Sequence, residues 1–254
     1  MSEAGALEFA RYAYPPNALG YCGPADHQAL LEHAAAGIAG GGLVQLARGF
    51  DGAWPYLELI AAANRIRDPL DLEVVQAYWL GNRLLDRVEG ASFGAALDER
   101  FRARSGRRFG WLAEAVPAGA LPHHSFHVLG VYPWVGLLRA GTVEQPLRVL
   151  DRCRVRWGRV LAAQGPMVVV RYRPLRWEGG ALGLGPPAVE QAVGSAGGLA
   201  LAGPLRVGDW VSLHWDWVCG RLTPRQLGAL RRSTLRQLQV VNGTTHPAPA
   251  AVLA

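Results

Sequence analysis

The sequence lacks lysine, long apolar runs and a cysteine framework. All 26 basic residues are arginine. No run of about 18 uncharged apolar residues occurs, so we expect no transmembrane helix. The start of the chain, Met1 to Ala4, has neither the basic nor the apolar segment of a signal peptide. The three cysteines, Cys22, Cys153 and Cys219, are odd in number and lack framework spacing, which is typical of free thiols in a cytoplasmic protein.

The composition allows a folded core but not a simple helical bundle. Half of the 254 residues are apolar, which is enough for one large domain or two small ones. The 32 glycines and 17 prolines indicate many loops and turns.

The charge is divided unevenly along the chain. Residues 1–150 carry 13 arginines against 15 acidic residues, a net charge of −2, whereas residues 151–254 carry 13 against 5, a net charge of +8. The basic second half fits an acidic partner or nucleic acid, or it is simply a solvated basic face.

Helical signals dominate the first half, for which we predict an all-α domain over residues 1–146. Pro15 and Pro16 are expected to end the first helix. Asp26 caps the next predicted helix, and Asp68 followed by Pro69 begins another.

The periodicity changes from about Thr142. Short, alternating or β-branched segments bounded by turns predict a small, partly open barrel of the oligonucleotide-binding type. Residues 186–203, rich in glycine, alanine and proline, are predicted to form an inserted loop or hairpin.

The barrel is expected to be followed by a helix. Thr223, Pro224 and Gln226 form a predicted capping box that opens it, and leucines at helical spacing follow. We therefore predict an α+β fold, with an OB-like barrel plus C-terminal helix over residues 147–242 and a flexible tail over residues 243–254.

Two short segments of the second half stand in an order that is found in a known protein family. The first begins with a cysteine, and the second is a predicted strand that ends in a histidine. Cys153 is followed by Gly158, Arg159 and Val160, and residues 207–214 read Val-Gly-Asp-Trp-Val-Ser-Leu-His. This order resembles the small NiFe-hydrogenase assembly chaperones of the HypC/HupF type. They carry a cysteine and a Pro-Gly-Lys-Val segment, then a barrel with a Val-Gly-Asp strand ending in histidine, then a helix. The resemblance covers roughly residues 147–242.

The resemblance implies an accessory role in hydrogenase maturation and no enzymatic activity. In that family the cysteine holds an Fe(CN)2CO unit on its way to the hydrogenase large-subunit precursor, together with an iron-scaffold maturation protein. Cys153 would then be a transient iron ligand or a partner contact, and His214 would orient the thiolate or bind the iron. The predicted partner contacts are Cys153, Arg154, Trp157, Arg159, Trp215 and Trp217.

The chain departs from the family pattern in three ways. The family cysteine lies near the N-terminus, whereas Cys153 is internal. Trp157 stands where the family has proline, and Trp215 and Trp217 follow the histidine in place of small residues. Two interpretations of Cys153 follow. In the first, it begins a strand, neighbouring arginines make it a thiolate, and it binds iron or a partner. In the second, it is a buried cysteine within a strand.

A second candidate site lies in the first half. His123 and His127 are four residues apart, so on a helix they share one face and could hold one metal; alternatively they line the packing surface between the domains. Cys22 is predicted to precede a helix N-terminus, which would lower its thiol pKa. With His27 or the histidine pair it could form a second metal site, or it is a packed loop cysteine.

The front half also resembles a known signature. Residues 11–17, Arg-Tyr-Ala-Tyr-Pro-Pro-Asn, and residues 20–24, Gly-Tyr-Cys-Gly-Pro, are similar to an uncharacterised bacterial family that is associated with hydrogenase genes.

Two other classes of function stay open as alternatives. One is a metal- or thiol-dependent enzyme that uses Cys22 with His123 and His127. The other is a single-stranded nucleic-acid-binding barrel, because tryptophans and arginines crowd the second half. The tryptophans do not have the spacing of a known RNA-binding signature, so we do not expect nucleic acid as the partner. Because no long apolar run occurs, we do not expect a membrane as the partner either.

Overall fold

A computed structural model of the protein describes residues 2–105 and 115–244. Helices occupy the front of the chain, a five-stranded barrel follows, and a long helix comes last. The predicted α+β class and the order of its parts are confirmed. Of the predicted tail, residues 245–254 lie outside the described part of the chain.

The front of the chain is helical, as its periodicity predicts. Asp26 accepts a hydrogen bond from the backbone of Ala29, and Asp71 accepts one from Glu73, so both residues cap helices. The helices are α1 (Glu3–Ala18), α2 (His27–Ala36), α3 (Gly41–Arg48), α4 (Trp54–Ala63), α5 (Leu72–Trp79), a 3-10 turn (Arg83–Arg87) and α6 (Gly90–Ser105).

The first helix does not end at its two prolines. Pro15 and Pro16 are both inside α1, which continues to Ala18. Both lie near its C-terminal end, where each removes a backbone N–H that would bond to the carbonyl four residues earlier. Because Pro16 has no N–H, the carbonyl of Tyr12 is left without its usual helical donor.

Short helices connect the front of the chain to the barrel. They are α7 (His124–Phe126), a π-helical turn (His127–Val131), α8 (Trp134–Arg139) and α9 (Glu144–Cys153). Cys153 is therefore the last residue of a helix, and the prediction that it begins a strand is wrong. The first strand begins at Arg156 instead.

Five strands close into a barrel: β1 (Arg156–Gln164), β2 (Met167–Tyr172), β5 (Ala188–Val193), β6 (Trp210–His214) and β7 (Trp217–Arg221). Their order around the barrel is β1-β2-β5-β7-β6, and β6 pairs with β1. All pairs are antiparallel except β5 with β7, as expected of a Greek-key barrel.

The insertion in the barrel lies elsewhere than predicted. Residues 186–203 contain the barrel strand β5, whereas the inserted element is the hairpin of β3 (Leu175–Glu178) and β4 (Ala181–Leu184). Asp151 accepts a hydrogen bond from the backbone of Leu175, and Asn242 exchanges two with the backbone of Leu182. The hairpin is thus hydrogen-bonded to the helix that precedes the barrel in the chain and to the helix that follows it.

The C-terminal helix, α10 (Pro224–Gly243), has the predicted capping box. Thr223 Oγ1 accepts from the backbone of Gln226 at 3.2 Å, and Gln226 Oε1 accepts from the backbone of Thr223 at 3.0 Å.

One hydrophobic core runs through the helical part and into the barrel. It joins Phe9 and Tyr12 of α1 to Trp157 and Cys219 of the barrel and to Leu230 of α10. The Tyr12 hydroxyl also lies 2.9 Å from Ser212 Oγ on β6. Helix α1 therefore packs directly on the barrel, beside the strand that ends in His214.

Within residues 2–105 and 115–244, none of the helices combines the length and the apolar composition that crossing a bilayer requires.

Candidate metal centre

Two histidines and a cysteine from three distant parts of the chain meet in the interior. His124 begins α7, Cys153 ends α9 and His214 ends β6. One ring nitrogen of each histidine and the Cys153 Sγ all lie within 4.8 Å of one another, and all three residues are buried. Among the described residues, these three are the histidine, cysteine or acidic residues whose ligand atoms lie close enough together to hold one metal ion.

The environment of His214 prepares one ring nitrogen for a ligand. Its Nδ1 lies 2.6 Å from the carbonyl oxygen of Tyr12, the carbonyl that Pro16 leaves without a helical donor. A carbonyl only accepts, so Nδ1 carries the proton and Nε2 carries a lone pair. Nε2 is buried and has no hydrogen-bond partner. Metal-binding histidines typically have this arrangement, with one nitrogen held by a carbonyl and the other available.

His124 is also oriented by a backbone carbonyl, but both of its ring nitrogens have hydrogen-bond partners. Its Nε2 lies 2.8 Å from the carbonyl oxygen of Cys153 and donates to it. Its Nδ1 then has the lone pair and accepts from the Tyr78 hydroxyl at 3.2 Å. Burial lowers the pKa of His124 to about 4 and that of His214 well below its usual value. Both imidazoles are therefore neutral near pH 7, which is the form that binds metals.

Cys153 carries its proton in this environment. Burial raises the pKa of its thiol, and the neighbouring Cys22 raises it further. The expectation that nearby arginines make it a thiolate is wrong, because Arg154 pairs with Asp151 at 2.8 Å and Arg156 pairs with Glu190. A metal that binds here must displace the thiol proton.

A cavity of about 80 Å³ opens beside the cluster and has room for roughly two or three water-sized groups. Its walls include Tyr21, Cys22, Tyr78, His124, Cys153 and Trp215.

Cys22 is not the reactive thiol that its sequence context predicts. Helix α2 begins only at His27, with Asp26 as its cap, so Cys22 does not lie at the helix N-terminus. Burial raises the pKa of its thiol to about 12. The side chain nevertheless reaches the cavity, on the wall shared with Cys153.

His123 and His127 do not form the predicted helical pair. His123 is an extended cap residue, and its Nδ1 accepts from the backbone of Ser125 at 3.0 Å. Burial lowers its pKa to about 3. His127 begins the π-helical turn and packs edge-on against Tyr56 while lining the cavity. Neither residue belongs to the three-residue cluster.

Sequence reasoning missed His124. If the segment were one helix, His123 and His127 would share a face and His124 would point away from it. Because the chain is extended at His123 and turns helical only at His124, it is His124 that faces Cys153. The signal that could have identified it is the His-His dipeptide directly before an apolar segment.

The residues predicted to contact a partner differ in exposure. Arg159 is exposed and Trp217 is half-buried, whereas Arg154, Trp157 and Trp215 are buried. The side chains of these three buried residues contact other residues of this chain.

The fold and the site together define an α+β protein with a closed five-stranded barrel and a buried cluster of two histidines and one cysteine. In a comparison with protein families, residues 1–248 match DUF6390, a family of unknown function, and the chain belongs to that family. The match includes both the helical part and the barrel. Comparisons with curated proteins and with solved structures gave no significant match.

Proposed function

We propose that this protein is an accessory protein of NiFe-hydrogenase maturation that holds the iron-centre precursor for the immature large subunit. The observation that supports this proposal is the position of Cys153 and His214. These two residues carry the sequence resemblance to the assembly chaperones, and they lie in one buried cluster with His124.

The chemistry of the cluster suits such a cargo. Thiolate is a soft ligand that favours low-valent iron, and neutral imidazole is a common iron ligand. Cys153 would bind through its sulfur after losing its proton, and His214 would bind through Nε2. The adjoining cavity of about 80 Å³ would accommodate small ligands that the iron already carries.

The charge distribution supports a protein partner. The net charge of +8 over residues 151–254 would favour encounter with an acidic surface, here that of the large-subunit precursor or the iron-scaffold protein. The three free cysteines suit the reducing cytoplasm, where we place the protein.

An enzyme that uses Cys22 as a nucleophile has less support. The thiolate is the nucleophilic form, and burial keeps this thiol protonated near pH 7.

Affinity capture from the native host tests the proposal. The tagged wild-type protein should retain the large-subunit precursor or the iron-scaffold protein, and Cys153→Ala should lose it. Cys219→Ala is the matched control, since Cys219 is buried in the barrel and does not line the cavity. If the wild type retains neither protein, the proposed function is wrong; if Cys153→Ala retains the precursor as well as the wild type does, Cys153 has no part in it.

A further inference from the structure

We propose that Cys22 is the fourth ligand of this centre, so that a bound metal is held by Cys22, His124, Cys153 and His214. The nature of the cargo rests on the proposed function, but the four-ligand site rests on geometry alone.

The three clustered residues leave a coordination position open. Two imidazoles and one thiolate fill three of the four positions of a tetrahedral metal. Nε2 of His214 is buried and has no hydrogen-bond partner, so its lone pair could bind a metal at this position. The open position would face the cavity, because His124 and Cys153 both line it.

Cys22 is the remaining sulfur on that cavity. The third cysteine of the chain, Cys219, is not among the lining residues. Cys22 and Cys153 both line the cavity. Two cysteines and two histidines are a donor set that zinc and iron both accept.

The segment that carries Cys22, residues 19–26, is held against the metal centre. Asn17 Nδ2 donates to the carbonyl oxygens of Cys22 and Pro24, both at 2.7 Å. A side chain at Gly23 would collide with the ring of Phe50, since an added Cβ would lie 2.4 Å from it, and the φ of +87° also favours glycine. The glycine at position 23 therefore lets the segment lie closer to the Phe50 ring than a residue with a side chain would allow.

An aromatic contact joins this segment to the turn that follows His214. The Tyr21 ring stacks on the Trp215 ring with centroids 4.3 Å apart. Trp215 has a φ of +51°, a left-handed conformation that is unfavourable for a bulky side chain and is often retained at functional sites. The stacked pair lies on the cavity wall together with Cys22.

The three clustered residues need only a small movement to hold a metal. Ligand atoms around a tetrahedral metal lie about 3.5 Å apart, so the clustered atoms, within 4.8 Å of one another, must contract by about 1 Å. Cys22 lies in the connection between α1 and α2 and belongs to neither helix. His124, Cys153 and His214 lie at the ends of regular elements and would form the fixed part of the site.

This arrangement explains how a buried metal could be handed over. With Cys22 bound, the metal has four protein ligands and is closed to solvent. Exchange of Cys22 for a ligand of the recipient would open the site without disturbing the other three ligands.

Absorption spectroscopy of the metal-free protein titrated with Co²⁺ alone tests the proposal. The thiolate-to-cobalt charge-transfer band grows with the number of thiolate ligands. Wild-type protein and Cys219→Ser should bind one Co²⁺ with equal band intensity. Cys22→Ser and Cys153→Ser should each show half that intensity, and circular dichroism checks that each variant is folded.

The outcomes separate this inference from the proposed function. If Cys22→Ser keeps the full wild-type band while Cys153→Ser halves or loses it, Cys22 is not a ligand and the proposed function is untouched. If wild-type protein binds no Co²⁺, the four-ligand site is wrong. If Co²⁺ binds through two thiolates but the protein captures no maturation partner, the inference stands and the proposed function fails.

Discussion

Two clusters of polar residues lie close together in this protein, and they differ in charge and in the ion pairs they form. The candidate metal centre consists of the neutral residues His124, Cys153 and His214, and Nε2 of His214 has no hydrogen-bond partner. The arginine cluster consists of charged residues in ion pairs: Asp151, Arg152, Arg154, Arg156, Glu190 and Asp216.

The arginine cluster is largely satisfied by the chain itself. Arg154 pairs with Asp151, which also accepts from a strand backbone. Arg156 pairs with Glu190 and lies 4.9 Å from the ring of Tyr172. These contacts connect α9 to β3 and β5 and connect β1 to β2 and β5, so this cluster serves the fold.

The metal centre has the opposite character. Its histidines are oriented by backbone carbonyls, yet one nitrogen has nothing to bind and a cavity adjoins the sulfur. An unpaired buried nitrogen costs free energy that a ligand would recover. The ion pairs indicate a role in stability for the arginine cluster, whereas ligand binding by the histidines and the cysteine is our proposal.

The largest expected effect comes from breaking the arginine cluster. Glu190→Gln leaves Arg156 buried without its counter-charge and should lower the free energy of unfolding by about 3 to 5 kcal/mol. Urea unfolding measures this change. Glu178→Gln is the control, since its pair with Arg176 is exposed and should contribute at most about 1 kcal/mol. Equal losses in the two variants would remove the distinction between the clusters.

Acid should destabilise the metal-free protein through its buried histidines. The pKa of His124 falls from 6.5 in the unfolded chain to about 4 in the fold, so between these values the unfolded state binds more protons. Stability is thus complete above pH 6.5 and is lost as the pH falls, by about 1.4 kcal/mol per pH unit for each such histidine.

Urea unfolding at pH 7, 6 and 5 checks this dependence. His124→Gln should reduce the slope by about 1.4 kcal/mol per pH unit. A wild-type stability that does not change over this range would contradict the burial of neutral histidines.

Changing the metal centre should affect metal binding and leave the metal-free fold nearly unchanged. Cys153→Ser should alter the stability of the metal-free protein by about 1 kcal/mol or less. Added Co²⁺ at 100 times its dissociation constant should stabilise the wild type by about 2.7 kcal/mol, and this gain should disappear in the variant. Thermal melts with and without the metal measure both effects; a gain that persists in Cys153→Ser would place the metal elsewhere.

The smallest effect is expected at the aromatic cover of the cavity. Tyr21 is 52% exposed, so Tyr21→Ala should cost only about 0.5 kcal/mol of stability. It should speed the loss of Co²⁺ to a chelator, because the Cys22 segment loses its contact with Trp215. Leu235→Ala, an exposed change on α10 that does not line the cavity, should leave the rate unchanged. Identical release from both variants would mean that Tyr21 does not control access.

Local sequence signals predicted much of the fold. Alternation and β-branched segments indicated the barrel, and Thr223 with Gln226 fixed the start of its last helix. These features depend on near neighbours in the chain, which a sequence displays directly. The resemblance singled out Cys153 and His214, which the structure brings together.

The sequence did not reveal features that depend on tertiary contacts. Pro15 and Pro16 stay helical because α1 packs on the barrel, and strand β5 forms in a segment rich in small residues because β2 and β7 pair with it. His124 could not be distinguished from His123, since one residue of extended chain decides which ring faces Cys153.

The central claim is that the buried histidine and cysteine cluster carries an iron precursor. Infrared spectroscopy of the protein purified anaerobically from its native host tests it most directly. We predict stretching bands of iron-bound cyanide and carbon monoxide in the wild type and in Cys219→Ser, and their absence in Cys153→Ser. Wild-type protein without iron or these bands, or bands that persist in Cys153→Ser, would contradict the account.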